Sequence, residues 1–103
     1  MNNEEVIRAY KEQEKMMVLI YAQWCVNNNF DCVELYEEAY PEQVDHSILK
    51  EVIHETVSKK ESEEITDDVL FSVLGTFGNT DLIFVIQERL EKRKRDEQLH
   101  SKQ

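Results

Sequence analysis

From Asn3 to Asn27 the apolar side chains Val6, Ile7, Tyr10, Met17, Ile20, Tyr21 and Trp24 recur at spacings that return to one face of a helix. The pattern predicts one long helix in two halves. In the first half the stripe is amphipathic and Glu14 falls where an apolar residue is expected. From Met16 to Val26 nearly every side is apolar apart from Gln23, which predicts the most buried part of the fold. Asn27-Asn28-Asn29 then marks a break, because Asn tolerates the left-handed conformation that ends helices and its amide competes for backbone partners.

Phe30, Val33, Leu35, Tyr36 and Tyr40 follow in a short segment that Asp31 can cap and Pro41 ends, which predicts a second helix. Val33-Glu34-Leu35 also fits the start of a strand, but the rest of the chain offers it no clear partner. Asp45 is placed to cap a third helix with Ile48, Leu49, Val52, Ile53 and Val57 on one stripe. Ser58 to Glu64 contains only Ser, Lys and Glu and predicts a solvated connection that buries nothing. Thr66 or Asp67 can cap a fourth helix carrying Val69, Leu70, Val73, Leu74 and Phe77, which Gly78-Asn79 stops. Leu82, Ile83, Val85, Ile86 and Leu90 open a fifth, which the short connection makes a packing neighbour of the fourth.

The expected fold is therefore all-α, a single-domain bundle of four or five helices. Residues 1–91 form the helical domain and residues 92–103 a charged helix end or flexible tail with little to anchor it. Two Gly and one Pro in 103 residues agree with this, since sheet-rich chains need turn residues at short intervals. A chain of this length has room for one core, and small domains often gain stability by associating.

Charge narrows the partners. The formal net charge is −10; residues 1–87 carry 18 acids and 6 Lys/Arg, giving −12, and residues 88–103 carry 4 acids and 6 Lys/Arg, giving +2. An acidic body lacks the positive surface that displaces counterions from phosphate, so nucleic acid is not an expected partner. The opening Asn2-Asn3-Glu4-Glu5 lacks the basic and apolar segments of a signal peptide, and Met16–Val26 is too short to span a bilayer. A cytoplasmic protein with no membrane association is expected, in which Cys25 and Cys32 stay reduced.

Candidate chemistry is sparse. Glu51/His54 and Glu97/His100 share a Glu-x-x-His spacing that puts two ligands on one side of a helix, as in di-iron bundles. At 100° per residue, however, Glu51 and His54 lie roughly 140° or more from Leu49 and face water. No metal is expected, with Glu51 and His54 the alternative. No cofactor is expected either, because two glycines cannot build a phosphate-cradling loop. The would-be recognition helix of a helix-turn-helix, Asp81-Leu82-Ile83-Phe84-Val85-Ile86, is apolar where base edges require polar groups.

Two short stretches carry resemblances. Phe30 to Ala39 looks like part of a single tetratricopeptide repeat, which implies a packed hairpin of the first two helices. Arg95-Asp96-Glu97-Gln98-Leu99-His100 resembles the Arg-polar-x-x-x-His motif of HEPN domains. That resemblance implies a small ribonuclease in which His100 acts in acid–base catalysis and Arg95 stabilises phosphate. The plainer reading is a solvated helix end, which Glu88/Lys92 and Glu91/Arg95 support by standing at i,i+4 with Glu first.

By elimination the first expectation for function is a small acidic intracellular protein-interaction module, adaptor or regulatory, without catalytic activity. Its partner is another protein or a second copy, with a homodimer expected. Tyr10, Met16, Met17, Tyr21, Trp24, Tyr36 and Phe84 are the candidate interface, because apolar surface all round a helix must meet core or partner. The alternatives are the HEPN-like ribonuclease and an acidic mimic of nucleic acid that inhibits a basic protein, carried by Glu61, Glu63, Glu64, Asp67 and Asp68.

Overall fold

The structure, a computed structural model, describes residues 3–43 and 46–101; of His100 and Ser101 only the backbone is described. Among the described residues there are five helices and no strand: α1 (Asn3–Asn27), α2 (Cys32–Ala39), α3 (Ser47–Ile53), α4 (Asp67–Thr76) and α5 (Thr80–Ser101). The all-α bundle expected from the apolar spacing is the fold.

Local chemistry sets most boundaries. At the end of α1 Asn29 takes φ +59°, and the N–H groups of Asn29 and Phe30 return to the carbonyls of Val26 and Cys25, a Schellman cap. Gly78, at φ +74°, closes α4 in the same way, with Gly78 N–H on Gly75 and Asn79 N–H on Leu74. Asp31 caps α2 by accepting from the N–H groups of Val33 and Glu34, so the strand alternative for this segment does not form. Thr66, not Asp67, caps α4 through Val69 N–H. Asp45 lies outside the described residues, and His46 at the N-cap of α3 makes no side-chain cap bond. The third helix ends at Ile53, four residues short of Val57, which is exposed in the following connection.

α1 is the axis of the bundle and touches α2, α3 and α4, while α5 packs on α2 and α4. Directions follow from side-chain pairs. Lys15 meets Glu51 and Gln23 meets Val57, so α3 runs parallel to α1. Trp24 meets Asp67 and Tyr10 meets Phe77, so α4 runs antiparallel to it. Asn79 meets Met17 and Arg93 meets Asn28, so α5 again runs parallel. The core lies between these helices and holds Tyr21, Trp24, Leu35, Val52, Leu70, Leu74, Leu82 and Ile86, all essentially inaccessible.

Because α1 and α5 are parallel but offset, the first half of α1 projects beyond one end of the bundle and the last turns of α5 beyond the other. The principal extents of 63 × 32 × 23 Å record this elongation. The connection 58–64 is irregular, but it is tied to the body: Ser62 Oγ accepts from Asn27 Nδ2 at 3.1 Å. The segment buries no residue, as expected, but it is not wholly solvated, since half-buried Ser62 serves the polar end of α1.

Candidate functional site

Two features adjoin the first half of α1. The first is an apolar ledge. Val6, Ile7 and Tyr10 are 53%, 54% and 57% exposed, although they continue the same face that Met17 and Tyr21 bury farther along the helix. Ile48 and Ser47 at the start of α3 flank this stripe, and together they bound an open groove of about 990 Å³. Tyr10 lies against Phe77 with ring centroids 6.2 Å apart, which fixes the inner end of the ledge on the body.

The second is a polar cleft adjoining that inner end, between α1, the segment before α3 and the α4–α5 turn. Glu14 lines the ledge and two smaller recesses of about 300 and 190 Å³, with Val18, Tyr36 and Gln43 shared by both recesses. Tyr36, in the cleft, donates to Gln43 Oε1 at 2.7 Å, and Tyr40, outside it, holds the cleft residue Asn79 by donating to its Oδ1 at 2.8 Å. Burial, with the charge of Glu14 as the lesser cause, raises the Tyr36 phenol above its usual range and keeps it a donor. The His46 side chain is nine-tenths buried, edge-on to Tyr36 at 5.2 Å, with Nε2 3.9 Å from Glu37 Oε1. Its Nδ1 has no hydrogen-bond partner among the described residues.

Comparison with known proteins places the whole of this arrangement in one family. The match to the YxiS family runs over residues 1–91, most of the chain. The chain belongs to the YxiS family. A relative in Bacillus subtilis (strain 168), whose name reads "Uncharacterized protein YxiS", is 43% identical over 95 residues, covering 91% of this chain and 99% of its own. No solved structure matches.

In this YxiS chain the residues expected at an interface separate into three groups. Met17, Tyr21 and Trp24 are core, which corrects their assignment to an outer surface: each has its polar or polarisable atom satisfied inside the fold. Tyr21 Oη donates to the carbonyl of Cys32 at 2.6 Å, Trp24 Nε1 to Asp67 Oδ1 at 3.0 Å, and Met17 Sδ accepts from Asn79 Nδ2 at 3.6 Å. Tyr10 and Tyr36 line the ledge and the cleft. Met16 and Phe84, 58% and 61% exposed, stand elsewhere.

The other candidates are not drawn together. Glu51 is engaged on the surface by Lys15 Nζ at 3.0 Å, a hydrogen bond that raises the lysine's pKa, while His54 is exposed at the C-cap of α3. Among the described residues no group of three or more His, Cys, Asp or Glu side chains converges as metal ligands would. Arg95 is exposed on the projecting part of α5, and the side chain of His100 lies outside the described residues. Among the described residues no helix is long and apolar enough to cross a membrane. Sequence reasoning missed Gln43, His46 and Asn79 as parts of the cleft, since nothing in their spacing marks them. The break that Glu14 makes in the stripe was the available signal.

Proposed function

We propose that this YxiS-family chain is a protein-interaction module, adaptor or regulatory in role and without catalytic activity of its own, that docks through the first half of α1. One observation carries the reading: an amphipathic helix continues beyond the body with its apolar face in water. A helix of this length gains most of its stability from burying that face. Exposing Val6, Ile7 and Tyr10 together forgoes hydrophobic stabilisation of about 25 cal/mol per Å² of apolar surface, which a docked partner would recover. The groove beside Ile48 is open enough to take a second helix, the usual occupant of such a surface.

The acidity of the chain fits a cytoplasmic protein that stays dispersed until it meets its partner. A photo-crosslinking residue in place of Ile7, activated in living cells, tests the reading. A discrete crosslinked product of any mass is the expected result. A chain that stays uncrosslinked at full incorporation would show that the ledge meets no protein, and the reading would fall.

A further inference from the structure

The stripe on the projecting half of α1 has a heptad spacing. Asn3, Ile7, Tyr10, Glu14, Met17 and Tyr21 follow one another at alternating steps of four and three, the seam of a coiled coil; Met17 and Tyr21 are buried in the protein's own core, Glu14 is half-buried at its edge, and Asn3, Ile7 and Tyr10 are exposed. From Asn3 to Glu14 the spacing and the order polar, apolar, apolar, polar are the same in both directions. If two such segments lie antiparallel, Ile7 of each faces Tyr10 of the other, and Asn3 of each faces Glu14 of the other. The apolar layers match each other, and the outer layers set an amide donor against a carboxylate.

The flank repeats the agreement. Glu4 and Lys11 occupy equivalent positions one heptad apart on the same side of the seam. Antiparallel helices bring like flanks together, so Glu4 of each copy approaches Lys11 of the other. Neither residue makes an ion pair within the chain among the described residues. A parallel pairing would instead put Glu14 against Glu14 at the seam, a like-charge contact, and would turn the Glu4–Lys11 flank of each copy toward the opposite flank of the other, losing the Glu4–Lys11 attraction.

We propose that the occupant of the ledge is a second copy of this chain, joined through antiparallel pairing of α1 residues 3–14 about a two-fold axis near Arg8–Ala9. This rests on the interaction reading above and names its partner. Glu14 then does for the pair what a polar core residue does in a coiled coil, fixing register and direction at some cost in affinity. With only two apolar layers and Ile48 beside them, the interface is at the small end of specific contacts, and the dimer forms in the micromolar-to-millimolar range.

The test is sedimentation equilibrium of the purified full chain over that range of concentration. Reversible dimerisation is expected, and Ile7→Ser abolishes it. Lys11→Glu replaces two attractive contacts per dimer by two repulsive ones and weakens association roughly tenfold. Glu4→Lys added to Lys11→Glu restores the attraction and recovers most of that loss. All these residues are exposed, so circular dichroism melts of the variants stay near that of the parent protein. A monomer at every concentration overturns the proposal, as does a double variant that associates no better than Lys11→Glu. If the protein stays monomeric while Ile7 crosslinks to a product of another mass in cells, the self-partner fails and the interaction reading stands.

Discussion

Gln23 is buried among apolar neighbours, and its amide replaces a missing strand partner. It donates to the carbonyl of Val57 and accepts from the N–H of the same residue, both at 2.9 Å. One side chain thus satisfies both backbone groups of a residue in an irregular connection, and its Nε2 also reaches Asn27. Gln23→Leu would fill nearly the same space but remove both bonds to Val57, at a cost of about 0.5–1.5 kcal/mol for each, since Val57 is exposed enough for water to replace part of them. Urea denaturation followed by tryptophan fluorescence should show the lower midpoint, with Trp24 as reporter. In the sequence Gln23 is visible only as an interruption. Its residue type announces a hydrogen bond, but the partner lies 34 positions away and no spacing names it. Trp24 misleads in the opposite sense: an aromatic with a polar edge suits interfaces, and here Asp67 takes that edge inside the fold.

At the scale of elements, the stops and caps were the most legible part of the chain. Asn29, Asp31, Thr66 and Gly78 each act through bonds to residues within five positions, and local chemistry is what sequence records best. The hold on α5 was not legible. Lys92 to Arg95 reads as a solvated run, but Arg93 lies over the Phe30 ring at 3.7 Å and donates to the carbonyls of Asn28 and Asn29. Phe30 stacks in turn on Trp24, with centroids 5.5 Å apart. A cation at the carbonyl end of α1 is well placed for the helix dipole, and the stack adds a cation–π contact. Arg93→Ala should therefore cost about 1–2 kcal/mol, more than a surface charge normally does, and should raise amide exchange at Phe30 and in the middle of α5. Arg95→Ala, two residues on and exposed, should change stability by less than about 0.5 kcal/mol. Arg89, bonded to Glu38 at 2.6 Å and Glu34 at 3.3 Å, clips α5 to α2 but is partly exposed and contributes less.

For the molecule as a whole, the order of packing depends on pairs tens of residues apart, which the apolar pattern cannot rank. The same pattern did locate the core in the second half of α1. That core makes stability sensitive to alkali. Burial foremost, then the charge of Cys32, raises the Cys25 thiol above its ordinary value of 9.0. Burial foremost, then Cys25 and Cys32, raises the Tyr21 phenol above 10.0. Both groups keep their protons in the folded state, while the unfolded chain releases them. Their contribution is therefore complete below pH 9 and is lost as pH rises past 9 and then past 10, with a limiting slope of about 1.4 kcal/mol per pH unit for each group. Thermal melts between pH 7 and 11 should trace that decline, and Cys25→Ala should flatten its first part. A melting temperature that is level to pH 11 would mean that neither side chain is as enclosed as the packing requires.

The placement of α5 also governs when the molecule can become itself. Leu82, Val85 and Ile86 close the core over α2 and α4, and Arg93 completes the end of α1, so the groups that finish the fold, all on α5, are synthesised after α1 to α4. Until the ribosome has released that helix, the nascent chain carries the inner faces of α1, α2 and α4 uncovered. A premature stop within α5 would accordingly release a sticky intermediate and not a shortened protein, and quality control would recognise it by the apolar surface left open.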